Sequence, residues 1–214
     1  MLRIVGDAAT LHDDPPVTDF ACRWYDVDRP SLVLGSTQVD SVDRSAAAAL
    51  DVAVVRRRSG GAAVLLVPGE FVWIDVVVPA SHHLWRDDVG LAMEWLGELW
   101  RTALSPWVEH LTVHRGPMVR PPLSTSVCFA GAATGEVLGR WGKVVGISQR
   151  RTRWWARLQS SCQLVWRPDW YTRLLPASAA LGDVASVAEA VPVGAADIVA
   201  GFAAAFGDAV RAGA

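Results

Sequence analysis

Val54-Val55-Arg56-Arg57-Arg58-Ser59-Gly60-Gly61-Ala62-Ala63-Val64 begins as a β-branched run, crosses three consecutive cations and two glycines, and ends on small apolar side chains. Its first residues read as the end of a strand that starts at Val52. Gly60 and Gly61 permit backbone angles with positive φ that other residues resist, so a tight turn follows the strand directly. Arginine is a permanently charged planar donor and glycine lets backbone N–H groups approach an oxyanion closely, which together suit a bound phosphate. A plain turn carrying solvated arginines fits these residues equally well. The segment is not a P-loop, since no Gly-Lys-Ser/Thr follows.

Upstream, Leu32-Val33-Leu34 reads as a short strand ended by Gly35, and Asp40 or Ser41 is placed to cap an alanine-rich helix running to Leu50. Downstream, residues 71–78 are β-branched and aromatic with Pro79 as their stop, predicting a buried strand. Val89, Ala92, Met93, Leu96, Leu99, Trp100 and Ala103 recur at helical spacing behind Asp87-Asp88, predicting an amphipathic helix of about four or five turns. Residues 116–126 hold three prolines and read as a long loop. Short strands follow at 136–138, 143–148 and 162–166, the first two joined by a hairpin turn over 139–142. Ile198, Phe202, Ala205, Phe206 and Ala209 form one face of a last helix. Strands in pairs separated by helices, without strict βαβ alternation, predict an α+β domain.

Of 214 residues, 51% are hydrophobic and 20% charged, ample material for a buried core and incompatible with disorder. The 20 basic and 22 acidic side chains leave a net charge of −2, which supplies no field for nucleic acid or an acidic membrane. Small molecules and proteins are the expected partners. Apolar stretches such as 76–80 fall far short of a membrane span. Residues 1–16 lack the basic start and apolar run of a secretory signal, so a cytoplasmic protein is expected. Cys22, Cys128 and Cys162 are odd in number and widely spaced, against a disulfide framework or a metal knuckle.

Three further groups bear on chemistry. Lys143 is the only lysine, set on a strand between Gly142 and Gly146, where it could polarise a carbonyl or hold a mixed anhydride; a solvated hairpin lysine is the plain alternative. Cys128 closes the proline-rich loop and is either a nucleophile or a small packing residue, whereas Cys22 and Cys162 read as core. His82-His83 and the pair His110 and His114 lack the spacing and third ligand of a metal site. Arg150, Arg151, Arg153 and Arg157 around Trp154-Trp155 read as arginines stacked on tryptophan or as a docking surface for a carrier protein.

Read together, Pro30-Ser31-Leu32-Val33-Leu34-Gly35-Ser36-Thr37-Gln38, then Val54-Val55-Arg56-Arg57-Arg58-Ser59-Gly60-Gly61, then Gly142-Lys143-Val144-Val145-Gly146-Ile147-Ser148-Gln149 resemble the lipoate-protein ligase A family, in order and approximate spacing, over residues 20–210. The resemblance implies a mixed, largely antiparallel sheet flanked by helices, like the biotin/lipoate ligase catalytic domain. It further implies one such catalytic domain over 1–214, without an accessory C-terminal domain. The implied activity uses ATP, as its Mg²⁺ complex, to turn lipoate or octanoate into an acyl-adenylate. The acyl group then passes to a lysine of a lipoyl carrier domain, in 2-oxoacid dehydrogenase or glycine cleavage proteins. By position, Arg57 would contact the phosphate, Ser59 would belong to the binding loop, and Gly60, Gly61, Ala62, Ala63 and Val64 would line the adenylate and acyl chain. Lys143 would touch both acyl carbonyl and phosphate. Cys128-Phe129 is similar instead to octanoyl transferases of the same superfamily, which pass the acyl group through a cysteine thioester without ATP. A non-catalytic acyl- or adenylate-binding relative is a third class. The chain departs from the family pattern at Ala62, Leu66-Val67, Gly69-Glu70 and Leu158-Gln159-Ser160-Ser161, differences that bear on ATP activation more than on acyl binding.

Overall fold

The computed structural model describes residues 1–13 and 19–212. Their first half runs β1 (Leu2–Gly6), α1 (Ala8–Asp13), β2 (Ala21–Val27), β3 (Ser31–Leu34), α2 (Arg44–Ala49), β4 (Ala53–Arg56), β5 (Val64–Leu66), β6 (Phe71–Pro79) and α3 (Val89–Leu104). The second half runs β7 (Thr112–Val113), β8 (Val137–Leu138), β9 (Lys143–Arg151), β10 (Trp155–Gln163), α4 (Pro168–Leu174) and α5 (Ala195–Ala212). The large sheet has the order β1-β2-β6-β10-β9-β8-β7 and is antiparallel except between β1 and β2. A small sheet, β4-β3-β5, pairs β3 parallel to β4 and antiparallel to β5. This is the α+β architecture that the sequence predicts, with the mixed, largely antiparallel sheet that the resemblance implies.

β6 is buried along its length because both of its faces are covered, and its period-two alternation sorts its side chains between two cores. Val72, Ile74, Val76 and Val78 face the helices, packing with Leu96 and Trp100 of α3 and with Ile198 and Phe202 of α5. Trp100 is fully enclosed and its indole N–H still finds an acceptor, Ser160 Oγ at 2.8 Å. Phe71 and Trp73 point the other way, toward Val33 and Leu66 of the small sheet. The same alternation divides the small sheet, since Leu32, Leu34 and Leu65 turn outward to a third core with Leu174 and Tyr171 of α4. The layers are therefore α3 and α5, the large sheet, the small sheet, then α2 and α4.

Several boundaries differ from the sequence expectation. Asp43, not Asp40 or Ser41, caps α2, its carboxylate accepting from Ala46 N at 2.9 Å. Asp88 caps α3 in the same way, accepting from Leu91 N at 2.9 Å. The strand expected at 162–166 is β10, which begins at Trp155 and ends at Gln163. Its Arg157, Gln159, Ser161 and Gln163 alternate with Ala156, Leu158, Ser160 and Cys162, and that polar face conceals it. No described helix is long and apolar enough to cross a membrane.

The Arg-Ser-Gly-Gly turn sits against the end of β3. A Cβ built on Gly35 would fall 1.7 Å from Gly61 O, so the two backbones touch where only glycine fits. Gly61 itself has φ +96°, in the left-handed region. Gly35→Ala should therefore destabilise the fold by about 2–3 kcal/mol, while Gly60→Ala, whose Cβ meets nothing within 4 Å, should change it by less than about 0.5 kcal/mol. Urea unfolding of both variants checks this; equal stabilities would mean that the loop is not seated as described.

Candidate functional site

Between the two sheets lies a cavity of about 260 Å³. Val33, Val64 and Leu66 of the small sheet form one wall, and Trp73, Gln159 and Ser161 of the large sheet another. The size and mixed lining match a site for a small ligand with an apolar chain and a few polar anchors.

Arg56, Arg57 and Arg58 each fasten a different piece of this site. Arg56 Nη1 donates to the carbonyls of Gly35 (2.7 Å) and Gln38 (2.8 Å), holding the turn after β3. Arg57, buried, donates from Nη2 to Gly60 O (2.8 Å) and Ala62 O (2.9 Å) and from Nη1 to Val33 O (3.1 Å). Arg58 pairs with Asp13 at the end of α1, 2.8 Å apart. A planar five-donor head can satisfy several carbonyls at once in a way that an ammonium cannot, which explains the residue type at position 57. Arg57, Gly60, Gly61, Ala62 and Val64 line the cavity; Ser59, buried with a hydroxyl that finds no partner among the described residues, and Ala63 do not.

Lys143 enters from the start of β9. It is 3% exposed, and its Nζ lies 2.7 Å from Glu136 Oε2 and donates to Cys128 O at 2.8 Å. Glu136, equally buried, also accepts from Ala133 N (2.7 Å) and Ile147 N (3.2 Å). This buried ion pair therefore carries the extra hydrogen bonds that such a pair needs. Two of the three ammonium donors are engaged, the Phe129 ring centroid stands 5.5 Å from Nζ, and the third donor has no hydrogen-bond acceptor among the described residues. Gly142 is required beside it, since a Cβ there would fall 2.7 Å from the backbone at Val187 and Ala188, against which Lys143 pairs. Cys128 lies across from the lysine. Its backbone N donates to Ala63 O at 2.9 Å, and its Sγ sits 3.6 Å from the point where a Gly61 Cβ would stand. The glycine turn, the cysteine and the lysine, distant in sequence, thus share one cavity.

Sequence reasoning missed two residues on that wall, Glu136 and His12. Glu136 left one signal, a lone carboxylate in the hairpin that ends on the only lysine. His12 left none. It stacks on Trp73 with centroids 4.4 Å apart, and burial, with Arg57 and Arg157 nearby, lowers its pKa to about 3, so the ring is neutral. Arg157 is not on the surface with the tryptophans. It is buried against Asp75 (2.6 Å) and donates to Leu11 O (3.0 Å), tying α1 to the sheet. Burial pushes the Asp75 carboxyl up and Arg157 opposes that. Arg153 does stack on Trp154 (4.6 Å), while Arg151 covers Trp85 (4.1 Å).

A resident divalent metal does not fit. Glu136 is the one carboxylate among the described lining residues, its oxygens are engaged by Lys143 and two backbone N–H groups, and no group of three metal-ligating side chains occurs among the described residues.

The family model of the lipoyl protein ligase A/B catalytic domain matches residues 10–207, so the chain belongs to that family. Three solved structures share its fold. The T. acidophilum protein Ta0514 with bound lipoic acid has a TM-score of 0.73 at 15% identity, covering 99% of this chain and 84% of that one. A bi-partite lipoate protein ligase from Thermoplasma acidophilum, studied with its E2 lipoyl domain, gives 0.72 at 14%, covering 98% and 83%. A lipoate-protein ligase A bound with ATP gives 0.67 at 15%, covering 99% and 84%. No curated protein sequence matches the chain.

The cysteines differ enough to be told apart chemically. Burial pushes the Cys22 thiol up to about 12 and that of the fully buried Cys162 higher still, whereas Cys128 opens on the cavity. Iodoacetamide at pH 8 should alkylate Cys128 at least roughly tenfold faster than either, because the thiolate is the reactive form. Peptide mass spectrometry reads the order, and Cys22 or Cys162 reacting first would contradict this assignment.

Proposed function

We propose that the chain transfers a lipoyl or octanoyl group to a lysine of a lipoyl carrier domain, with the acyl chain in the cavity and its carbonyl at Lys143. The carrying observation is an ammonium fixed inside a partly apolar cavity with one donor left open. As the carrier amine attacks the acyl carbon, the carbonyl oxygen gains negative charge. A preorganised cation beside it stabilises that charge more than it would in water. The bond to the leaving group then breaks, giving the amide, and the amine proton leaves for solvent or for the leaving group. Membership of the ligase A/B family, and the E2 lipoyl domain studied with one protein of this fold, support a lipoyl domain as acceptor. The acceptors proposed are those of 2-oxoacid dehydrogenase or glycine cleavage proteins, in the cytoplasm.

The activated donor separates two readings. In the ligase reading, the lipoate carboxylate attacks the α-phosphorus of ATP, releasing pyrophosphate, and acyl-adenylate reacts at Lys143. The proteins of this fold with lipoic acid and with ATP support it, and Mg²⁺ would arrive with ATP as the substrate complex. Arg57 then shapes the phosphate-facing backbone by holding the loop carbonyls. In the second reading the Cys128 thiolate attacks an octanoyl-carrier thioester, the carrier thiol leaves protonated, and the carrier lysine later displaces Cys128. The cavity position of Cys128 favours this reading, as does the pairing of Lys143 with Glu136, which offsets that charge and leaves Arg57, held by neutral carbonyls, to face a triphosphate.

Acyl transfer to a lipoyl domain from lipoate plus ATP and from octanoyl-carrier protein decides between them. Lys143→Ala should lower transfer from either donor by roughly a hundredfold or more. Cys128→Ser should leave an ATP-driven reaction within about threefold but lower a thioester-driven one by roughly a thousandfold. Unchanged transfer in Lys143→Ala would remove the proposal.

A further inference from the structure

His12 is a polar group with nothing to do in the chemistry above. Neither of its ring nitrogens has a hydrogen-bond partner among the described residues, and Nδ1 is fully enclosed, yet the ring lines the cavity. Buried polar groups of this kind are rare without a purpose. Two contacts hold the residue there: Arg157 donates to the backbone of Leu11 at 3.0 Å, and Arg58 pairs with the neighbouring Asp13 at 2.8 Å. The Trp73 ring supports its face.

The position of His12 relative to Lys143 follows from strand register. Trp73, Ser161 and Gly146 stand opposite one another across β6, β10 and β9. His12, over Trp73, is thus two strand spacings, about 10 Å, from Gly146, and Lys143 lies three residues further along β9. A medium-length acyl chain with its carbonyl at Lys143 would extend toward His12. Because a buried unpaired N–H costs more than a buried unpaired lone pair, the enclosed Nδ1 is assigned the lone pair. The neutral ring then carries its proton on Nε2, the nitrogen that is not enclosed.

We propose that His12 reads the far end of the acyl chain, its Nε2–H donating to an acceptor atom there, so that the site selects lipoate, through a ring sulfur, over octanoate, which offers none. This rests on the ligase reading, in which free lipoate is the substrate, and adds the specificity-determining residue. A neutral imidazole that resists protonation serves as a hydrogen-bond donor and makes a poor general base near neutral pH, so recognition is the role its chemistry fits.

Titration calorimetry of lipoate, octanoate and 8-hydroxyoctanoate tests it on wild type, His12→Phe and His12→Gln. Phenylalanine keeps the stack on Trp73 without a donor; glutamine keeps a donor without the ring. Wild type should bind lipoate and 8-hydroxyoctanoate about three- to tenfold more tightly than octanoate, the range of one neutral hydrogen bond. His12→Phe should bring the three within twofold while octanoate affinity holds, and His12→Gln should restore part of the preference. Absence of any preference in wild type, or a His12→Phe that weakens all three ligands alike, overturns the role of His12 and leaves acyl transfer standing. Failure of wild type to bind any of the three overturns the ligase reading, in which the free acid is the substrate, and the role of His12 with it.

Discussion

Lys143 and Glu136 meet 2.7 Å apart with side chains 2% and 4% exposed, and the rest of the site is arranged around keeping them there. Two charges taken out of water cost several kcal/mol each unless geometry and further hydrogen bonds compensate. Here Ala133 N, Ile147 N and Cys128 O supply those bonds, which brings the hairpin of β8 and β9 and the turn at Cys128 into fixed relation. The consequence is an ammonium held in one orientation toward the cavity, which a carbonyl under attack requires. The same pairing tempers the electrostatics, because Glu136 offsets the lysine's charge.

The arginines do complementary work on the opposite wall. Three consecutive guanidinium groups hold the turn after β3, the glycine loop and the end of α1, so one short sequence organises three segments through backbone carbonyls and one carboxylate. The cavity is the space left where the large and small sheets meet across these fastenings. Its shape follows from backbone approach at Gly35 and Gly61 and from side-chain alternation on β3, β5 and β6.

Much of this was legible in the sequence where periodicity is strong. α3 and α5 announced themselves through apolar residues at helical spacing, and β6 through an unbroken β-branched run. β1 and β2 did not, since Leu2 and Val5 are exposed on an edge strand and β2 carries Arg23 and Asp26 among its apolar residues. β10 was misread because its polar side chains face the cavity and Asp75 instead of solvent. Arg57, Cys128 and Lys143 were conspicuous as residue types in unusual settings. Glu136 and His12 were not, because each acquires its character only from groups that folding brings to it: a lysine across a hairpin, and a tryptophan and two arginines from β6, β10 and the loop after β4.

A structure of the protein determined with a hydrolysis-resistant lipoyl or octanoyl acyl-adenylate analogue, or with octanoyl-Cys128, would test the centre of this account most directly. The account predicts the acyl chain between the two sheets, its carbonyl oxygen within hydrogen-bond distance of Lys143 Nζ, and Glu136 still paired with the lysine. An acyl chain seated outside this cavity, or a Lys143 swung away from the carbonyl into solvent, would contradict it.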